Sequence, residues 1–200
     1  MSIQSRRLDS VCVYCGSSNA ARPEYLAAAA TLGQRIAEDG LRLVYGGGGV
    51  GLMGAAARSA HDAGGRVLGI IPEFLTSHER PLANVETIIV QSMHQRKMMM
   101  FEESDAFAIL PGGIGTLEEV IELLSWRRLA LHAKPIVFYN PDNFYDGLFD
   151  FFQKFIDERL IPPEFAETWR AVTEIEELLP AIRSMPTNAF ATPPGMEHVT

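Results

Sequence analysis

The sequence predicts an α/β fold, a parallel sheet with helices on both faces, and three observations carry that prediction. Short apolar runs of strand length alternate with longer segments whose apolar residues recur at helical spacing. Glycine-rich turns follow several of the runs, where ligands collect beyond the carboxyl ends of parallel strands. The chain has 200 residues, 47% of them hydrophobic, enough for one sizeable core and within the usual range of a single domain.

In chain order, strands are expected over residues 10–15, 41–45, 66–71, 85–90, 106–110 and 135–139. Helices fall between them, beginning with an alanine-rich one over 23–38. The helix before the fifth strand is announced by Ser92 and Gln95, which have capping-box spacing ahead of Met98, Met99, Met100 and Phe101. The helix after that strand shows Leu117, Val120, Ile121 and Leu124 on one face. Helices over 143–159 and 163–179 are expected to close the fold. Residues 1–184 then form one domain, and 185–200, with Pro186, Pro193, Pro194 and Gly195, form a loose tail.

The richest stretch is Pro111-Gly112-Gly113-Ile114-Gly115-Thr116-Leu117-Glu118-Glu119. Glycines before a helix let backbone N–H groups approach a ligand, and those unpaired donors at the positive end of the helix dipole suit a phosphate. Thr116 adds a hydroxyl. Read alone, the segment is equally a tight turn with Glu118 and Glu119 favouring the dipole. The second segment, Ser92-Met93-His94-Gln95-Arg96-Lys97, places two cations in the first turn of a helix, where the dipole opposes them. An anionic ligand would remove that conflict.

Together these segments resemble the LOG (Lonely Guy) family of cytokinin riboside 5'-monophosphate phosphoribohydrolases, whose members were often mislabelled lysine decarboxylases. Further similarity lies in Val13-Tyr14-Cys15-Gly16-Ser17-Ser18, in the run from Leu43 through Gly46-Gly47-Gly48-Gly49 to Gly54, and in Gly69-Ile70-Ile71-Pro72. It extends from about Val11 to about Pro162. Gly49 stands where many members have Ser, and the resemblance does not extend to the segment after Pro186.

The resemblance implies a Rossmann-like nucleotide-binding hydrolase that cleaves the N-glycosidic bond of an adenosine 5'-monophosphate, N6-substituted or plain, into free base and ribose 5-phosphate. An oxocarbenium-like transition state at C1' calls for negative charge near the ribose and an activated water. Glu119, one turn into the helix, suits both roles, with Glu118 as its competitor, and the resemblance marks Glu119 and Arg96 as catalytic. Arg96 stays charged at any working pH and acts as a clamp rather than a proton donor. Substrate contacts are expected from Glu79, Lys97, Ser17, Gly47, Gly48, Gly112, Gly113, Ile114, Gly115, Thr116 and Glu118. The resemblance also implies a homodimer with the site near the subunit contact, and the Met-rich helix offers apolar surface for it.

Composition narrows the rest. With 17 basic against 25 acidic residues, neither nucleic acid nor an anionic membrane is an expected partner. No apolar run reaches the ~18 residues of a membrane span, and the start of the chain carries no apolar signal segment, so a soluble cytoplasmic protein is expected. Cys12-Val13-Tyr14-Cys15 has redox spelling, but residues three apart on a strand face opposite ways; Cys12 is expected in the core and Cys15 at the site. The 5 histidines form no ligand pattern, so neither metal nor cofactor is expected.

Two rivals remain. Gly46-x-Gly48-x-x-Gly51 and Gly49-x-Gly51-x-x-Gly54 both spell a dinucleotide fingerprint, with Glu73 beyond, although they follow the second strand and leave no substrate domain. A Walker A loop fails for want of Gly-Lys-Ser or Gly-Lys-Thr. The other rival is a non-catalytic nucleotide or cofactor-binding module resembling molybdenum-cofactor carriers, which would keep the glycine loops but have no use for Arg96 and Glu119 together.

Overall fold

A computed structural model describes residues 8–186. Seven parallel strands form one sheet in the order β4-β3-β2-β1-β5-β6-β7: β1 (Ser10–Tyr14), β2 (Arg42–Tyr45), β3 (Arg66–Pro72), β4 (Glu86–Val90), β5 (Ala106–Ile109), β6 (Ile136–Tyr139) and β7 (Arg170–Val172). Helices α1 (Pro23–Glu38), α2 (Gly51–Asp62), α3 (Thr76–Glu79), α4 (Met93–Glu102), α5 (Ile114–Arg128), α6 (Asp146–Asp157) and α7 (Leu178–Ser184) connect or follow them. This is the Rossmann-like α/β architecture that the alternating pattern predicts.

Strand alternation divides the interior into two cores. Val11, Val13, Leu43, Tyr45, Ala106 and Ala108 face α1, α2 and α7, packing with Leu32, Ile36, Leu52 and Ile182. Cys12, Tyr14, Val44, Phe107 and Ile109 face the other way, onto Met100, Val120, Leu124 and Phe152 of α4, α5 and α6. With both faces covered, the central strands have no polar side to show, and so read as continuous apolar runs.

The last quarter differs from the expected helix over 163–179. Pro163–Thr168 is a 3-10 turn, Arg170–Val172 is strand β7, Ile175–Glu177 is a second 3-10 turn, and only then does α7 begin. Tertiary pairing decides this region: Phe165 and Trp169 pack on Phe152, and β7 aligns Arg170 with Val137 on the open edge of β6. The expected helix over 143–159 is present but shorter, as α6. Met185 does not begin a loose tail, since it is buried against the α1/α2/α7 core. The remainder of the expected tail from residue 187 lies outside the described residues. No helix of the described residues is long and apolar enough to cross a membrane.

Candidate functional site

The chain winds outward from β1 to β4 on one side and resumes at β5 beside β1, so the loops leaving β1 and β5 diverge. Such a switch point opens a crevice at the carboxyl ends of the strands. A cavity of about 270 Å³ lies there, lined by the β1, β2 and β5 loops, α4 and the start of α5.

At its floor α5 begins without a side-chain cap, its N-cap being Gly113. The first N–H groups of such a helix have no intrahelical acceptor. The three glycines before and within this turn do different work. A Cβ on Gly112 would fall 2.2 Å from Thr116 Oγ1, so this glycine admits the threonine. Around Gly113 and Gly115 nothing lies within 4 Å of the Cβ position, so the fold leaves that space open. Both line the cavity, as do Ile114 and Thr116.

Arg96 enters from α4. Ser92 Oγ accepts the Gln95 N–H at 3.2 Å, and Gln95 Oε1 accepts from Gln91 N–H at 2.8 Å, one residue before the partner of an ideal capping box. Arg96 is 6% exposed. Its Nε has no hydrogen-bond partner, and its Nη1 lies 3.9 Å from Met93 Sδ. No ion pair to Arg96 is made among the described residues. A buried guanidinium without a carboxylate partner is costly unless an anion completes it.

Glu119 faces the same cavity and is 9% exposed. Burial pushes its carboxyl up to about 7; Arg96 opposes the rise, while Glu118 and Glu79 add to it. Glu79, at the end of α3, has a buried Oε2 without a partner, and burial raises it against the pull of Arg96. The glycine loop after β2 seats this carboxylate. Gly49 N–H donates to Glu79 O at 2.7 Å, and a Cβ on Gly48 would come 3.1 Å from Glu79 Oε2.

Of the expected site residues, Ser17, Glu79, Arg96, Gly113, Ile114, Gly115, Thr116 and Glu119 come together on the cavity wall, and Cys15 joins them. Lys97 and Glu118 do not line it: Lys97 Nζ is 2.5 Å from Glu118 Oε1 and 2.9 Å from Glu122 Oε2, a bridge between α4 and α5. Gly112, Gly47 and Gly48 are also off the wall and serve packing; at Gly47 a Cβ would meet Ile71 Cβ at 2.7 Å. Sequence reasoning missed Gly46, Met53, Met93 and Met100. Helical spacing held a signal for two of them, because Met93, Arg96 and Met100 share one face of α4.

The start of α2, where the dinucleotide fingerprint would put a pyrophosphate, is filled by the chain itself. Gly51 N–H donates to Asn19 Oδ1 at 2.8 Å and Leu52 N–H to Gly16 O at 3.0 Å. The fingerprint spelling is therefore a loop seat. Cys12 lies in the core on the opposite sheet face from Cys15, and no group of at least 3 His, Cys, Asp or Glu side chains is gathered for a metal among the described residues.

Comparison with known proteins bears on this geometry. The family described as "Possible lysine decarboxylase" matches residues 53–182. The cytokinin riboside 5'-monophosphate phosphoribohydrolase LOG5 of Arabidopsis thaliana is 42% identical over 180 residues, covering 90% of this chain and 79% of its own. The probable phosphoribohydrolase LOG6 of the same plant is 45% identical over 161 residues, 80% of each chain. The probable enzyme LOGL5 of Oryza sativa subsp. japonica is 46% identical over 160 residues, 78% of this chain, which spans 64% of the rice protein. Among solved structures, the molybdenum cofactor binding protein of Rippkaea orientalis has a TM-score of 0.68 at 26% identity, covering 90% of this chain and 98% of its own. The carrier protein of Chlamydomonas reinhardtii has a TM-score of 0.70 at 21% identity, with the same coverage, and shows the shared fold alone. Kinship with the plant proteins at that identity, over most of this chain, places the protein in the LOG family.

Proposed function

We propose that the protein hydrolyses the N-glycosidic bond of an adenosine 5'-monophosphate, N6-substituted or plain, releasing free base and ribose 5-phosphate. The observation that carries this is one cavity holding an unpaired buried arginine, a carboxylate raised by burial and an uncapped helix start with empty space above its glycines. The names of the plant relatives support the same reaction.

In this reading the 5'-phosphate rests on the α5 N-terminus and draws on its N–H groups and dipole. As the C1'–N9 bond breaks, its electron pair leaves with the base and positive charge grows on the ribose. Ionised Glu119 stabilises that charge and takes a proton from the water whose oxygen bonds to C1'. Arg96 holds the nucleotide and keeps enough Glu119 ionised. The departing base takes up the proton that Glu119 removed from the water, which restores the carboxylate, so water is divided between the two products. The chemistry draws on water and a carboxylate, with no cofactor called upon.

The described residues, Met185 of the core included, act here as a single hydrolase domain, working in the cytoplasm as a homodimer. Support for the dimer comes from apolar groups left uncovered: Ile114 is 84% exposed at the cavity, and Ile89 is 58% exposed on edge strand β4. The Met-rich helix contributes less than its composition implies, because Met100 is buried and Met99 and Phe101 pack on the core. Sedimentation at micromolar concentration tests this; a species of only 22.1 kDa would remove the dimer.

A carrier module has less support, since Arg96 and Glu119 would then be buried charges without a task. Incubation with AMP, isopentenyladenosine monophosphate, the matching nucleosides and NAD, followed by chromatography, separates the readings. Free base and ribose 5-phosphate from the monophosphates alone are expected. Binding without product would point to the carrier, and NAD reduction with an added alcohol would point to a dehydrogenase.

A further inference from the structure

Nothing packs over Gly113 or Gly115, so the turn that faces the ligand depends on bonds made at its root. Leu110 N–H donates to Tyr14 O at 2.9 Å, and Gly16 N–H donates to Pro111 O at 3.1 Å. The Leu110 carbonyl has no strand neighbour, because the β5–β6 ladder ends with Ile109 opposite Phe138. It accepts instead from Tyr145 Oη at 2.7 Å.

Tyr145 is itself held in place. Asp142 and Asn143, with φ of 49° and 60°, take the chain through the left-handed region after β6. Buried Asn140 accepts the Tyr145 N–H at 2.6 Å through Oδ1 and donates through Nδ2 to Asp146 Oδ1 at 2.8 Å. The rings of Phe138 and Phe144 meet the tyrosine edge-on, with centroids 5.1 and 4.8 Å away. Burial holds the phenol protonated far above its ordinary range, so it donates at any working pH.

We propose that Tyr145 is a positioning residue: set by Asn140, its hydroxyl fastens the root of the 111–116 turn and thereby fixes the N–H groups at the start of α5. The functional part rests on the reading that this turn holds the 5'-phosphate. The bond itself lies off the cavity wall, so its effect passes through the backbone.

Tyr145→Phe in the full chain keeps the ring and removes one hydroxyl. Thr168→Val is the matched control, deleting a buried hydroxyl-to-carbonyl bond of 2.7 Å to Phe165 O in the turn after α6. Two readouts are compared, amide hydrogen exchange over residues 112–116 and calorimetric affinity for ribose 5-phosphate. Tyr145→Phe is expected to speed exchange in that turn and weaken ribose 5-phosphate about tenfold, the scale of one buried carbonyl left unsatisfied. Thr168→Val is expected to change neither. Wild-type exchange in Tyr145→Phe, or the same loss in the control, would overturn the proposal. Failure of the wild-type protein to bind ribose 5-phosphate would instead remove the phosphate reading, while exchange still decides the role of Tyr145.

Discussion

Arg96 lies directly over Gly46: a Cβ on that glycine would fall 1.9 Å from Nη2 and 2.9 Å from Cζ. The missing side chain of one residue is thus the seat of the other. Gly46→Ala is expected to swing the guanidinium aside rather than unfold the chain, because the far end of an arginine moves cheaply. Misplacing a positioned group by about an ångström costs roughly 100-fold in rate. Steady-state kinetics with thermal melts check this; wild-type kcat/KM in a well-folded Gly46→Ala would show that the guanidinium position is immaterial.

Arg96→Ala and Glu119→Ala are each expected to lower kcat/KM by a thousandfold or more, a loss of at least about 4 kcal/mol of transition-state stabilisation. Neither should weaken the fold, since both are buried at a cavity rather than packed in a core. Base release at near-normal rates by either variant would dismiss the pair as catalytic.

The pH dependence follows from the same carboxyl. In the proposed mechanism Glu119 acts ionised, so kcat/KM is expected to rise as pH increases through about 7 and to level off above it. Stability runs the opposite way. With its folded pKa raised from 4.5 to about 7, Glu119 carries no penalty below pH 4.5. Stability then declines through that window, by roughly 3 kcal/mol once the carboxyl is fully ionised in the fold. Glu119→Gln should therefore be inactive yet more stable than the parent in denaturant titrations at pH 8, and lose that advantage near pH 4.5. An advantage that grows on acidification would contradict the sign.

The glycines of the α5 turn are expected to separate binding from folding. Gly113→Leu and Gly115→Ala meet open space, and alanine in a helix gains up to about 1 kcal/mol over glycine. Both should melt no lower than the parent while binding nucleotide ten- to a hundredfold more weakly, about one or two charge-assisted hydrogen bonds. Gly112→Ala should do the reverse first, because its Cβ collides with Thr116 at 2.2 Å and the turn must shift. Equal melting of all three variants would erase the distinction.

These expectations show what local sequence can and cannot express. Strands β1, β2, β3, β5 and β6 are legible because burial on both faces writes them as apolar runs, and the half-exposed edge strand β4 is legible through its β-branched run Thr87-Ile88-Ile89-Val90. Strand β7 is not, because Arg170, Ala171 and Val172 carry no pattern and become a strand only by pairing with β6. That Arg96 and Glu119 face one cavity is legible only in part: cations in a first helical turn and glycines before another point to the two helix starts, and the family resemblance singles out these two residues from Lys97 and Glu118. Lys97 misleads for the same reason, having the same local setting as Arg96 but reaching Glu118 and Glu122 on a neighbouring helix. Gly46 could not stand out from the glycines beside it until the path of Arg96 was known.

The position of the cavity across the β1/β5 joint has a consequence for how the molecule comes to life. Ser10 and Asp105, 95 positions apart, hydrogen-bond where those strands begin to pair, and every intervening strand and helix must loop outward before they meet. Contacts of such separation in sequence form late and slowly. A refolding chain is therefore expected to regain its secondary structure well before its turnover, and catalytic activity becomes a clock for the last event of folding.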